Sequence, residues 1–285
     1  MKEHAHEFPI TKMSKVFKVS RSGYYKWLGS APSRRSRQNQ ALREAIKQSW
    51  LASDKRYGSP RIHRELLAQG WKVSRPRVAR LMRAMGIASR IRRRWKKTTH
   101  SAHSLPVAPN LLDRHFFPDQ LGKVWLSDIT YLLSRQGWVY LTTVMDLGDR
   151  QVIGWSLSDR MGAEQTSIPA LKQALIRRPG GCELFHSDRG VQYACREFRD
   201  LLATRRITQS MSRKGNCWDN APAESFFKTL KAELPRRSSF ENYQQARSTI
   251  FEFIEIWYNR KRRHSALDYR TPAQAEQQLN QQQAA

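Results

Sequence analysis

The chain has 285 residues, enough for one large or two to three modest domains that each bury a core without staples. Its 51 Lys and Arg stand against 24 Asp and Glu, a net charge of +27 at a mean hydropathy of −0.71, which points to a polyanionic partner, most often nucleic acid. No apolar run approaches a membrane-spanning helix, "MKEHAHEFPITKMSKVF" lacks a signal-peptide core, and Cys182, Cys195 and Cys217 form no CxxC pair, so the expectation is a cytoplasmic chain with reduced thiols.

The charge is concentrated at the start. Residues 1–110 hold 26 Lys and Arg against 5 acids, net +21, whereas residues 111–285 hold 25 against 19, net +6. Two short helical arrays fall in the basic part. The first, "FKVSRSGYYKWL", is brief. The second, about residues 57–87, reads as a helix from near Arg61 to Ala68 stopped by Gly70, then a helix opened by Ser74 as N-cap. Val78, Leu81, Met82 and Met85 recur as an apolar stripe, while Lys72, Arg75, Arg77, Arg80 and Arg83 crowd the remaining surface. That is a helix-turn-helix pattern with a basic second helix; a hairpin with merely solvated arginines competes with it, and the local charge favours DNA contact. In "SRIRRRWKK", residues 89–97, Arg92, Arg93 and Arg94 suit non-specific phosphate binding and Trp95 suits packing or stacking. Residues 98–116, poor in charge and broken by Pro106 and Pro109, read as a linker between a helical region 1–97 and a second domain 117–275.

The texture then changes to strands. "KVWLSDITYLL" (123–133), "GWVYLTTVMDL" (137–147) and "QVIGWSLSD" (151–159) are β-rich and joined by the short turns "SRQG" and "GDR", which predicts three antiparallel strands. A helix over about 165–177 follows, with Pro169 moving its start towards Ser167, then a strand "CELFHSD", a helix "CREFRDLLATR" and a strand "ITQSMS". Strand-helix alternation after a meander implies an α/β mixed sheet with helices on its faces. The helix "APAESFFKTLKAEL" starts at Pro222 with Asn220 as a candidate cap. Further on, Ser238 and Glu241 form a capping box before a helix whose apolar side carries Ala246, Ile250, Phe253, Ile254 and Trp257. After it, Asn259, Arg260, Lys261, Arg262, Arg263 and His264 are candidates to grip DNA, a solvated helix end being the alternative. "EQQLNQQQAA" reads as a frayed, disordered tail over 276–285.

Three acids stand out on this scaffold. Asp128 lies inside a strand, where its charge is costly to bury. Asp188 ends a strand beside a loop, the position at which open α/β sheets hold ligands. Glu224 opens a helix and shares a face with Lys228 and Lys231. One acid per element suits convergence on hard divalent cations, which take carboxylate and phosphate oxygens. Singly, each has a plainer role: Asp128 beside an Arg, Asp188 as a cap, Glu224 paired with Lys228. Asp146 and Asp219 are further acids near strand and loop ends, Asp146 serving either beside the metal or to close a turn with Gly148. His186 reads as a packed residue rather than a ligand.

Fifty-nine residues separate Asp128 from Asp188, and 35 separate Asp188 from Glu224. This resembles the D,D(35)E signature of RNase H-like polynucleotidyl transferases of the retroviral-integrase superfamily. "WLSDITYL", "HSDRGVQY", "SRKGNCWDNAPAESFFKTLK" and "YNRKRRHSALDYRTPAQ", with "VSRSGYYKWL" and "YGSPRIHREL" upstream, resemble the catalytic (OrfB) product of the insertion-sequence-three family of bacterial transposases over about residues 10–275. The resemblance implies an RNase H-like core, catalytic metal ligands Asp128, Asp188 and Glu224, and Lys231 at the transposon end. It also implies two Mg²⁺ ions, with Mn²⁺ as a substitute, and double-stranded DNA, both element ends and target, as substrate. Homo-oligomers on DNA at the nucleoid, and an upstream helix-turn-helix product or frameshift fusion as partner, belong to the same expectation. A nuclease limited to hydrolysis and a non-catalytic DNA-binding regulator remain the alternatives.

Overall fold

The computed structural model describes residues 1–31, 33–89, 105–234 and 240–284, and falls into two compact units, Met1–Ser89 and Arg90–Ala285. The first unit is all-helical: α1 (Ile10–Val16), α2 (Arg21–Gly29), α3 (Arg34–Ala52), α4 (Ser59–Ala68) and α5 (Arg75–Ala84). The Ser20 hydroxyl caps α2 by accepting from the Gly23 N–H at 3.0 Å. Gly70, at φ +85°, ends α4, and the Trp71 N–H reaches back to the Leu66 carbonyl at 2.9 Å, closing the helix end before the turn into α5. Ser74 occupies the expected N-cap of α5, but its side chain makes no capping bond.

The α3 helix is an addition to the sequence reading. It buries Leu42 and Ile46 in a small core with Ile62 and Leu66 of α4 and Val78, Leu81 and Met82 of α5. Arg77 clasps the Asn39 side chain of α3 at 2.8 and 3.2 Å. The fold around the turn is therefore a three-helix unit.

The second unit holds a five-stranded sheet of order β3-β2-β1-β4-β5. β1 (Val124–Ser134), β2 (Gly137–Asp146) and β3 (Val152–Ser158) pair antiparallel, and β4 (Leu184–Ser187) and β5 (Thr208–Met211) run parallel to β1. Between β3 and β4 lies α6 (Ser167–Arg177), and between β4 and β5 lie α7 (Val191–Ala194) and α8 (Arg196–Thr204). These helices bury Ala170, Leu171, Ala174, Tyr193, Phe198 and Leu202 against Trp125, Val144, Ile153 and Phe185 of the sheet. The α6 backbone comes so close to β3 that a Cβ on Gly154 would lie 2.2 Å from the Ala170 carbonyl, so only glycine fits there.

Helix α9 (Ala221–Glu233) packs on β1 with Phe226, Phe227 and Leu230 buried. α10 (Tyr243–Phe251) widens into a π-helical stretch over Glu252–Tyr258, and Phe226 meets Tyr258 edge to face at 4.7 Å. Asn242 caps α10 through the Gln245 N–H at 2.9 Å, so the helix begins later than the expected capping box, whose Ser238 lies outside the described residues. Ala246, Ile250, Phe253, Ile254 and Trp257 are all buried, as their periodicity predicts. The Gln-rich tail departs from the frayed end expected of it: α11 runs over Pro272–Ala284, favoured by Ala and Gln and fastened at Glu276 by Arg178 and Gln151. Residues 109–116, read as linker, belong to the second unit, since Leu111 and Leu112 donate backbone N–H bonds to the Ser210 hydroxyl of β5.

Candidate active site

Strand register builds the site. Leu126 of β1 lies opposite His186 of β4 in a parallel pair. Two residues further along each chain come Asp128, still within β1, and Asp188, just past the end of β4. Asp188 stands where β4 ends, and its carboxylate turns back to accept the Gly190 N–H at 2.9 Å. Asp128 stays within β1, opposite Thr143 of β2, and one of its oxygens accepts the Ile129 N–H at 2.9 Å. The third acid arrives on α9. Pro222 fixes the first turn, and Asn220 sits at the N-cap without making a side-chain capping bond, so Glu224 falls on the turn nearest the sheet.

The three acids share one electrostatic field. Asp128 is held well above the usual carboxylate range, first by burial and then by the charge of Asp188, with Glu224 adding to the push and the Ile129 N–H and Lys231 opposing it. Glu224 pairs with Lys228 one turn on, at 3.2 Å. The Lys231 ammonium is shifted down by the protein packed around it, against the pull of Asp128, which places it at the same site. Among the described residues no three His, Cys, Asp or Glu side chains converge as a ready-made metal cage. Mg²⁺ does not ask for one, because it commonly takes one or two carboxylates and fills its remaining positions with water and substrate phosphate. A half-buried acid pushed against ionisation by two neighbouring acids is the donor set that a divalent cation relieves.

Two links that the sequence did not disclose tie the acid-bearing elements together. The Ser127 hydroxyl, next to Asp128, shares a 2.7 Å hydrogen bond with the Tyr193 hydroxyl, five residues after Asp188. Burial, then the charges of Asp188 and Asp128, keep the Tyr193 phenol well above its ordinary range. From the α9 side, the Asn220 amide reaches the Ser127 carbonyl at 3.5 Å, and its own buried oxygen has no partner among the described residues. No local motif announces either link, since both join residues more than sixty positions apart.

The other polar candidates separate by their partners. Asp146 is a buried structural hub that accepts from the Gly122, Gly148 and Trp125 N–H groups and from Arg178, and its register partner is Trp125 rather than Asp128. It closes the turn and does not join the site. Asp219 is buried between Arg213 and Arg114 at 2.8 and 2.9 Å, and the Arg213 hydrogen bonds hold its carboxyl far below the usual range. His186 is fully buried between the Ser210 and Ser212 hydroxyls, and burial pushes it down to about 4, so it packs as a neutral ring.

Of the proposed DNA-contacting residues, Arg75, Arg80, Arg83, Arg260 and Lys228 are exposed. Arg77 is partly occupied by Asn39, and Arg92, Arg93, Arg94 and Trp95 lie outside the described residues. Arg262 corrects the sequence reading. It is 5% exposed and its guanidinium bonds the buried Glu233 at 3.0 Å, so it braces α9 against the π-helical stretch instead of facing DNA. Asn259 is likewise internal, pairing with both backbone groups of Val152 at 2.9 and 3.0 Å. Arg263 donates to the Tyr269 carbonyl at 3.1 Å, and His264 accepts from the Ala266 N–H.

Two integrase core domain models match residues 118–217 and 205–272, and an HTH-like domain model matches residues 37–95, which takes in α3 as well as α4 and α5. The chain is 41% identical over 261 residues to an uncharacterized 31 kDa protein of insertion element IS600 from Shigella sonnei, covering 92% of this chain and 96% of that one. It is 39% identical over 279 residues to the transposase InsF for insertion sequence IS3A from Escherichia coli K12, covering 97% and 96%. The chain belongs to the IS3 family of transposases. Its fold class is accordingly an RNase H-like integrase core preceded by a helix-turn-helix region, and its enzyme class a DDE polynucleotidyl transferase. A chain of the simian T-cell lymphotropic virus intasome aligns at a TM-score of 0.46 and 13% identity over 81% of this transposase and 74% of that chain, a likeness too loose to bear on individual residues. No helix among the described residues is long and apolar enough to cross a membrane.

Proposed function

We propose that Asp128, Asp188 and Glu224 are the catalytic residues of this transposase, and that they hold a pair of divalent cations, Mg²⁺ or Mn²⁺, against the reacting phosphate of an element end. The observation that supports this reading is that the parallel β1/β4 register runs to Leu126 and His186, two residues short of Asp128 and Asp188, and that the charges of Asp188 and Glu224 both bear on Asp128. When bound, the cations supply activation of the attacking oxygen and neutralisation of the leaving one. The chain's own residues do the rest. The three carboxylates provide hard oxygen ligands, and the Ile129 N–H keeps the Asp128 carboxylate in one orientation. Lys231, a point charge beside the acids, holds a neighbouring phosphate of the strand and so orients the 3′-hydroxyl for attack. Arg75, Arg80 and Arg83 on α5, with Arg77 where Asn39 leaves it room, and the basic run through Arg92, Arg93 and Arg94 hold duplex DNA by phosphate contacts. Work on two element ends and a target calls for a homo-oligomer on DNA at the nucleoid, with an upstream helix-turn-helix product or fusion adding end recognition.

Strand joining from a pre-cut element end tests the assignment. Asp188→Asn and Glu224→Gln should abolish joining and leave DNA affinity within about twofold, because each removes a ligand but little phosphate-binding surface. Lys231→Ala should slow joining while Lys231→Arg restores much of it. Hydrolysis without any joined product by the wild type would favour a nuclease, and joining by Asp188→Asn would remove Asp188 from the site.

A further inference from the structure

Asn220 stands where a helix cap is expected and does not act as one. Its backbone, at φ −118° and ψ 25°, continues the 3₁₀ turn Cys217–Asn220 and does not open into the extended conformation from which a side chain reaches the free N–H groups of a helix. The side chain turns inwards instead. It is 5% exposed, its Nδ2 donates to the Ser127 carbonyl at 3.5 Å, and its Oδ1 is buried with no partner among the described residues. The reverse orientation of the amide would set two acceptors against each other, so the bond to Ser127 decides which way it points. Buried polar atoms nearly always find partners, and one left unmet beside a chemical centre marks a local compromise made for that centre.

We propose that Asn220 is a positioning residue: acting through the Ser127 carbonyl, it holds Glu224 at the spacing from Asp128 that a shared divalent cation requires. Ser127 immediately precedes Asp128 in β1, and Glu224 lies one helical turn beyond Asn220 in α9. The bond thus joins the backbone beside one acid to the turn that carries another. Stability of the turn does not call for it, because the neighbouring Asp219 is already clamped by Arg114, Arg213 and Asn110. What Asn220 adds is the register of α9 against β1. Mg²⁺ demands near-octahedral oxygens at about 2.0–2.1 Å, so a small slide of α9 along the strand would spoil the site without unfolding it. Groups that orient a ligand without touching the metal commonly change its affinity by tenfold or more. This inference rests on the assignment of Asp128 and Glu224 to the metal site.

Electron paramagnetic resonance of Mn²⁺ bound to the full chain, without DNA, reads the effect directly. Asn220→Ala should weaken Mn²⁺ about tenfold, and Asn220→Leu, which keeps the volume but not the amide, should weaken it as much while melting close to the wild-type temperature. In strand joining, both variants should need about tenfold more Mg²⁺ for half the maximal rate and approach the wild-type rate at saturation, with DNA affinity unchanged. In a Glu224→Gln background, Asn220→Ala should weaken Mn²⁺ no further, since the carboxylate it positions is gone. Wild-type Mn²⁺ affinity in Asn220→Leu overturns the proposal, as does a full further loss in the Glu224→Gln background, which would show Asn220 acting elsewhere. A loss that tracks a fallen melting temperature in both variants overturns it too, because the bond would then serve stability alone. If Glu224→Gln itself binds Mn²⁺ like wild type, the acid assignment fails first and takes the positioning role with it.

Discussion

Asp128→Asn should make the protein more stable while making it inactive. The anion at Asp128 is opposed by burial and by the charges of Asp188 and Glu224, whereas asparagine keeps the oxygen that accepts the Ile129 N–H and removes the charge. Like charges at about 6 Å, the range over which carboxylates shift one another, repel by about 3 kcal/mol at an effective dielectric of 20. Solvent reaching this partly buried position discounts that to about 1–2 kcal/mol. For a unit of this size, a gain of that order raises the melting temperature by roughly 2–8 °C. Thermal melts without divalent cation, followed by the same melts with millimolar Mg²⁺, provide the assay. Mg²⁺ should raise the wild-type transition through preferential binding to the folded state and move the variant much less. A variant that melts at or below the wild-type temperature in the absence of metal, while still binding DNA, would refute the reasoning, because the acids would then not be held together at a cost.

Arg178→Met should destabilise the second unit by about 3–5 kcal/mol, since Asp146 and Asp149, both fully buried, lose their shared cation. Asp149 is already raised to about 7 by burial against the pull of Arg178, so its stabilising contribution is complete below its unfolded pKa of 3.8 and is lost as pH rises through about 7; the variant's deficit in melting temperature should therefore be larger at pH 8 than at pH 5. Tyr193→Phe removes the bond to Ser127 and leaves a buried hydroxyl without that partner, for about 1–3 kcal/mol of stability; if the link also sets the spacing of the acids, Mn²⁺ affinity measured by electron paramagnetic resonance should weaken while DNA affinity holds. Arg262→Ala should lower the melting temperature by unpairing the buried Glu233, whereas Arg260→Ala should leave it unchanged and reduce the salt slope of DNA binding by about one.

The strands and most helices of the second unit were legible because its pattern is strong: β-branched and aromatic runs separated by short turns leave few alternatives, and Pro169 and Pro222 mark helix starts. The α3 helix was not, because nineteen mostly polar residues bury only Leu42, Ile46 and Ser49, and so faint a stripe does not stand out from a charged segment. The Gln-rich tail misled for a related reason. Its composition suggests a loose end, and what holds it is Arg178, nearly a hundred residues away. The same limit hid the fates of Asp146, Asp219 and Arg262, whose local sequence shows a charge but not the partner that consumes it.

Those partners explain why a basic chain keeps acids of two kinds. Asp146 and Asp149 meet Arg178, Asp219 meets Arg114 and Arg213, and Glu233 meets Arg262, so each of these buried carboxylates is neutralised from within by a guanidinium whose planar fork suits it. Asp128 differs. Among the described residues Lys231 lowers its pKa, and that pull is weaker than the burial and acidic neighbours that work the other way. A guanidinium placed there would settle the charge and close the site to anything else. Left in that state, Asp128 suits a cation that arrives from solution and brings phosphate oxygens with it. The arginines thus complete from within the acids that build the fold, whereas at Asp128 burial and acidic neighbours outweigh the pull of Lys231.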